Sequence, residues 1–356
     1  MSDPIDLPVL GSYPDPRVLR LSGLERMDLI NQGRSPRPPT HYLCGHIPTD
    51  WAPGRSAFAM PPSPWFSIAG GFVSPGVVAL PADAALGTAL ATTLPPGVVI
   101  TTSELTINYL RPVGMRRLAA RASVIDSSPF QGLIESSVVD DDGRMVAHLT
   151  SRYVTLKVPI PLDQLPDGEI PLADDPGYES GVPYLQPLPA KENLPPDDTR
   201  PGLEAFAAVA RGERPRPPIA RLLGIMNEKV SEGTAVMSIP AHRWFTSPAT
   251  TIYGGITALA LEIVSTAAVS TTLPAGWSCA PLDTKIQFLR PWLPDGARCE
   301  LRAEVIHRGR RLAITRAELT NGSDKIVAIA TGSTLILERP WSEFGTMDAL
   351  PAGDGD

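Results

Sequence analysis

The sequence predicts an α+β fold made of two tandem copies of one unit, each a long buried helix followed by an antiparallel sheet of consecutive strands. Three observations carry this reading. Short words recur at a constant spacing of 179 residues, the distance from Gly23 to Gly202. Each copy holds an Ala- and Leu-rich stretch that is apolar nearly all round, which suits a helix sealed on every side. After each stretch come runs of alternating polar and apolar residues, the period of half-buried strands.

The recurring words fix the two copies. Gly23-Leu24-Glu25 returns as Gly202-Leu203-Glu204, and Pro36-Arg37-Pro38-Pro39 as Pro215-Arg216-Pro217-Pro218. Gly45 maps onto Gly224, Gly54 onto Gly233, and Trp65-Phe66 onto Trp244-Phe245. Thr92-Thr93-Leu94-Pro95 maps onto Thr271-Thr272-Leu273-Pro274, and Leu110-Arg111-Pro112 onto Leu289-Arg290-Pro291. One offset throughout means no gap, and two copies are too few for a solenoid. The expected organisation is an arm (1–22), a first domain (23–157), a Pro- and acid-rich linker (158–201), a second domain (202–338) and a tail (339–356).

Within each copy the elements follow in the same order. A short helix opens it (Leu24–Asn31; Leu203–Arg211), then a strand (Arg55–Met60; Thr234–Ile239), then the long helix (about Pro75–Thr92; Gly254–Thr271). Thr102–Leu110 and Asp283–Leu289 alternate as strands, followed by Ala119–Asp126 and Arg302–His307 and a closing hairpin. Asp142-Gly143 and Asn321-Gly322 are hairpin turn signals that read as corresponding. Pro81 inside the first long helix removes a backbone donor and is expected to kink it.

Composition bounds the function. The chain has 356 residues, 43% hydrophobic and 19% charged, with a formal charge of −7, which gives no reason to expect nucleic acid. Its three cysteines form no CxxC pair, so neither a disulfide framework nor a zinc site is suggested, and a reduced, cytoplasmic setting fits. The five histidines show no metal-ligand spacing. The most membrane-like stretch, Gly255 to Leu273, carries Glu262 at its middle and reads as a buried helix instead. No GxSxG, GxGxxG or GxxxxGKS is present.

Chemistry concentrates on the long helices. Each carries one carboxylate in its apolar middle, Asp83 and Glu262, where burial should raise its pKa. Seven residues earlier stand Gly76 and Gly255, at the helix start, where unpaired N–H groups suit a developing oxyanion.

This glycine-to-acid spacing, with the strand that ends in Leu-Arg-Pro, resembles the hotdog-fold acyl-CoA thioesterases, above all the phenylacetate-pathway branch. The resemblance spans both copies and implies a double hotdog with an acyl-CoA substrate, no metal and no cofactor beyond the coenzyme A of the substrate. The buried sheet faces, separately, suggest a homodimer in which two chains pair into a four-unit assembly. In that family each active site is shared between two units. One supplies the helix-start glycine N–H and an Asn shortly before it; the other supplies the acid and a Ser or Thr on the next strand.

Carried onto this sequence, the family's His-Gly-Gly falls on Ser74-Pro75-Gly76 and Tyr253-Gly254-Gly255. The middle residue is the implied oxyanion donor, which Gly254 can be, helped by Gly255, and Pro75 cannot. The Asn position is Ile68 in one copy and Ser247 in the other. The strand hydroxyl falls on Thr101-Thr102 in the first copy, either able to hold a water and Thr102 the one assigned to the site, against Cys279-Ala280-Pro281 in the second. The expectation is therefore one working site (Asp83, Thr102, Gly254, Gly255 and Ser247) and one relic (Glu262 with Gly76).

Arg308, Arg310 and Arg311 read as a coenzyme A phosphate clamp or as a solvated turn, and Tyr253 as an acyl contact or as packing. The family histidine is absent, and no histidine is expected near either helix start. Two other readings stay open: an acyl-CoA binding or sensing protein without turnover, and a hotdog hydratase or dehydratase.

Overall fold

The computed structural model describes residues 3–68, 72–174, 181–188 and 200–340. The tail from 341 and the linker stretches 175–180 and 189–199 lie outside the described residues.

The first half contains α1 (Gly23–Asn31), α2 (Pro39–Cys44), β1 (Ile47–Ala52), β2 (Arg55–Met60), α3 (Ala79–Ala91), β3 (Val98–Tyr109), β4 (Leu118–Ser127), β5 (Gln131–Val139) and β6 (Met145–Lys157). The second repeats this as α4 (Gly202–Ala210), α5 (Pro218–Leu222), β7 (Met226–Ser231), β8 (Thr234–Pro240), α6 (Gly254–Ser270), β9 (Ser278–Phe288), β10 (Arg298–Arg308), β11 (Leu312–Thr320) and β12 (Ile326–Leu337). The short helices α2 and α5 and the edge strands β1 and β7 were not anticipated. They are too short, or too exposed, to show a period.

Among the described residues, β1 to β12 join one twelve-stranded antiparallel sheet in the order β1-β2-β4-β5-β6-β3-β9-β12-β11-β10-β8-β7. The strands are not simply consecutive, because β3 crosses over to pair with β6. The halves meet at β3 and β9, with Glu104 opposite Gln287 and Asn108 opposite Asp283. Helices α3 and α6 pack on this sheet and on each other. Most side chains on them are buried and none is exposed, as helices without a polar face require.

The 179-residue offset does not run to the end. In the sheet, Leu118 pairs with Met60 as Cys299 pairs with Ile239, so β4 maps onto β10 at an offset of 181. The two extra residues lie in the loop after Leu289-Arg290-Pro291. Consequently the hairpin turn at Asp140–Arg144 matches Asn321–Lys325, and Asp142-Gly143 does not correspond to Asn321-Gly322.

Pro81 does not kink a long helix; it sets where the α-helix begins. Pro75–Val78 form a 3-10 turn, and the α-helix starts at Ala79, which puts Pro81 in its first turn, where the missing donor costs nothing. The second half lacks this proline and is α-helical from Gly254 onward. The recurring Gly23 and Gly202 have a steric reason. A Cβ there would stand 1.6 Å from Ala91 O and 1.9 Å from Ser270 O, because each opening helix butts against the end of its long helix.

Segments outside the sheet cross between the halves. The arm before the first half docks on the second: Leu7 O accepts the Trp244 indole N–H (3.2 Å), Tyr13 bonds to Thr246, and Asp3 pairs with Arg216 and Arg221. The linker before the second half docks on the first: Gln186 O accepts the Trp65 indole N–H (2.6 Å), and Tyr184 O accepts the Ser63 hydroxyl. Leu7 and Gln186 stand one repeat apart. The same reciprocity joins Thr40 N–H to Thr246 O (3.4 Å) and Ile219 N–H to Ser67 O (3.0 Å).

Candidate active site

The pseudo-symmetric packing of α3 and α6 brings the acid of each half to the helix start of the other. Asp83, on α3, is 4% exposed. Its Oδ2 accepts the Gly255 N–H of α6 at 2.8 Å, and its Oδ1 accepts the Tyr153 hydroxyl of β6 at 3.2 Å. Burial pushes its pKa up to about 6, against the opposing pull of these two donors.

Glu262, on α6, is 2% exposed and makes the mirror-image contact. Its Oε2 accepts the Gly76 N–H (3.2 Å) and the Ser74 hydroxyl (3.3 Å), while its Oε1 accepts the Thr266 hydroxyl (2.6 Å). Burial raises its pKa as well.

In both sites it is the third residue of the triplet, Gly255 or Gly76, that reaches the acid. Pro75 therefore does not cost the first half this contact. Gly254, the middle residue, lies against Asp83 differently: a Cβ there would meet Oδ2 at 2.8 Å. Its own N–H enters none of the hydrogen bonds formed among the described residues and is left for another acceptor. Pro75 has no such group.

The other candidate residues fall in different places. Thr102 lies across the ladder from Tyr153, so the phenol stands between it and Asp83. Ser247 is held in a local turn, accepting Ala249 N–H (3.2 Å) and donating its own N–H to Thr251 O (2.9 Å). Among the described residues no hydrogen bond joins it to Asp83. Tyr253 is buried, and its hydroxyl donates to Leu80 O (2.6 Å), one helical turn from Asp83.

Contrary to expectation, a histidine does stand by this helix start. His46, two residues past α2, stacks on the Tyr253 ring at 5.6 Å, with His41 edge-on to His46 at 4.6 Å. Desolvation lowers the pKa of His46 to about 3, so it is neutral. Among the described residues neither ring bonds to Asp83 or Glu262.

The arginine loop is remote from Asp83. Arg308 Nε donates to the Thr272 hydroxyl (3.1 Å), just past the C-terminal end of α6, whereas Gly254 begins that helix. At 1.5 Å of rise per residue the two lie about 25 Å apart along the axis. Arg308 is closer to Cys279 and the Glu262 side. Arg310 lies 3.6 Å from Glu338 and is largely exposed, and Arg311 is exposed on the same turn. Among the described residues no cluster of ligating side chains could hold a metal ion, and no helix is long and apolar enough to cross a membrane.

Tyr153, Gly87, Thr266 and Ser74 were missed by the sequence reading. Tyr153 carried a weak signal, as one inward position on the alternating strand β6. Ser74 occupied the family's histidine position and was passed over as a mere absence.

The family model of the thioesterase superfamily matches residues 70–147 and again 249–328, one match per half. A phenylacetic acid degradation-related protein of Ralstonia eutropha JMP134 is 31% identical over 36% of this chain and 98% of its own, with a TM-score of 0.34. The TesB protein of Mycobacterium avium subspecies paratuberculosis matches 84% of this chain and 97% of its own at 12% identity, with a TM-score of 0.50. The acyl-CoA thioesterase II TesB2 of Mycobacterium marinum matches 85% and 98% at 12% identity, with a TM-score of 0.47. Among curated proteins no sequence matches significantly.

Proposed function

We propose that this chain, which belongs to the thioesterase superfamily and is thus a thioester hydrolase, cleaves acyl-CoA thioesters at the composite site around Asp83. One observation supports this reading above the rest. A buried carboxylate from one half is held at 2.8 Å by the helix-start N–H of the other, beside the Gly254 N–H.

In this reading the thioester carbonyl oxygen lies against the Gly254 N–H, at the positive end of α6. A water oxygen adds to the carbonyl carbon while Asp83 takes its proton. The negative charge that gathers on the carbonyl oxygen is met by the helix start. Collapse of the adduct breaks the C–S bond, and the departing thiolate takes up the proton that Asp83 received. A carboxylate whose pKa is pushed up to about 6 is a stronger base than a surface one, yet still ionised at neutral pH.

Glu262 has a structural part in this reading, because three protein donors hold its two oxygens and the residue beside them is Pro75. The arginine loop is not assigned to the Asp83 site, given its place at the far end of α6.

The test is thiol release from short, long and aryl acyl-CoAs by wild type, Asp83→Asn and Glu262→Gln. Asp83→Asn should lower turnover by roughly 10²–10⁴-fold, the span of a general base, while Glu262→Gln stays close to wild type. Loss confined to Glu262→Gln would transfer the chemistry to the other site. Tight acyl-CoA binding without turnover would make the chain a binding protein.

A further inference from the structure

The two acids differ in what grips their second oxygen, and the difference involves two positions at once. Four residues after Asp83, on the same face of α3, stands Gly87. Its bare Cα leaves room for the Tyr153 hydroxyl, which sits 3.5 Å from where a Cβ would be. Four residues after Glu262 stands Thr266, which bonds the acid directly (2.6 Å). The position matching Tyr153 in the shifted register is Thr334, too short to reach across. In one half the donor comes from the sheet through a gap in the helix; in the other the helix itself supplies it, from Thr266.

We propose that Tyr153 is a positioning residue for catalysis, its phenol fixing Oδ1 of Asp83 so that Oδ2 stays directed at the start of α6. The proposal rests on the reading of Asp83 as the reacting acid. Without Tyr153 the carboxylate keeps a single donor, Gly255 N–H, and can rotate about its Cβ–Cγ bond. With it, both oxygens are held, from opposite sides, by groups on a sheet strand and on a helix of the other half. Tyr153 is itself 3% exposed and anchored on β6 opposite Thr102. A buried hydroxyl needs an acceptor, and that of Tyr153 donates to Asp83 Oδ1 at 3.2 Å.

The titratable groups that bear on Asp83 are Tyr153 from β6 and Tyr253 from the start of α6. Burial raises both phenols, so neither changes charge in the acid range. Among the described residues no cation pairs with Asp83. An acid limb in the pH profile therefore reports Asp83 and the donors it has.

Two substitutions at Tyr153 test the proposal by moving that limb in opposite directions. Tyr153→Phe removes the donor. It should lower kcat about tenfold and raise the midpoint of the acid limb by about one pH unit. Replacement of Tyr153 by 3,5-difluorotyrosine makes the hydroxyl a stronger donor in nearly the same volume and should lower the midpoint. Carbon-13 NMR of the aspartate carboxyls, with Asp83→Asn to assign the signal, reads the same shifts without turnover. Opposite shifts in the NMR titration uphold the contact even if no thioester is cleaved, in which case the functional reading fails alone. A signal that titrates identically in all three proteins overturns the proposal, as does a limb that Tyr153→Phe leaves in place.

Discussion

Asp83 and Glu262 occupy matching positions in two halves of one chain, are equally buried, and each touches the helix start of the opposite half. They differ in saturation. Glu262 is bonded by a backbone N–H and two hydroxyls, and a proline fills the next position. Asp83 has one N–H and one phenol, and next to it Gly254 keeps an N–H to offer. Under the proposed function, burial alone does not choose the reacting acid: two desolvated carboxylates share a fold, and the reaction is assigned to the one whose neighbourhood still has an uncommitted donor.

The sharpest way to break this comparison is at the middle residue of the triplet. Gly254→Ala drives a methyl group to 2.8 Å from Asp83 Oδ2 and must displace the carboxylate. Turnover should fall roughly 10²-fold, the usual result of an ångström-scale misplacement, with the fold intact by circular dichroism. Pro75→Ala, at the matching position, should leave thiol release unchanged. Equal losses in both would erase the distinction between the halves.

The pH dependence sharpens it further. The Asp83 pKa stands raised from 3.8 to about 6, so kcat/KM should climb through about pH 6 to a plateau as the carboxylate ionises. The same shift has a thermodynamic sign. An acid whose folded pKa is raised favours the folded state while protonated, and that contribution is lost as pH rises from about 4 through about 6. Asp83→Asn should therefore be more stable than wild type at pH 7 by roughly 1–3 kcal/mol, and no more stable at pH 4, in paired urea titrations. Glu262→Gln should show the same sign without a loss of activity. That contrast would separate the burial penalty, common to both sites, from the reaction, which belongs to one.

The smallest expected effect concerns the arms. Asp3 bonds both Arg216 and Arg221, and Arg221 is buried under the Trp65 ring. The linker at the matching position has Val182 and no ion pair. Asp3→Ala should cost about 1.5–3 kcal/mol, measured by denaturant midpoint, because Arg216 and the buried Arg221 both lose a charge-assisted hydrogen bond.

The repeat was legible because steric demands write themselves plainly: Gly23 and Gly202, the paired tryptophans and the Thr-Thr-Leu-Pro turns recur without a gap. The buried acids were legible because a carboxylate inside an apolar helix contradicts its surroundings. What escaped was whatever depends on distance across the fold. Choosing between Gly254 and Gly255 as the residue facing Asp83 needs the crossing geometry of α3 and α6. Tyr153 lies 70 residues beyond Asp83, and its meaning depends on an empty Cβ position at Gly87. His46 reaches Tyr253 from the other half, a contact with no trace in local spacing. The two-residue shift fell in a loop, where insertions cost little and leave no periodic signal.

The crossed arms carry a consequence for how the chain comes to be folded. Leu7 is made early, yet its place is against Trp244; Trp65 waits for Gln186 to cap its indole N–H. Neither half is the finished article when its own residues have left the ribosome. The first must wait for the linker, and the arm must wait for the part of the second half that runs from Arg216 to Thr246. Domains that complete themselves in order can melt one at a time. Here each half holds the other's last piece, so calorimetry should record a single cooperative transition. A cut within 175–180 should yield fragments that hold their shape together rather than apart.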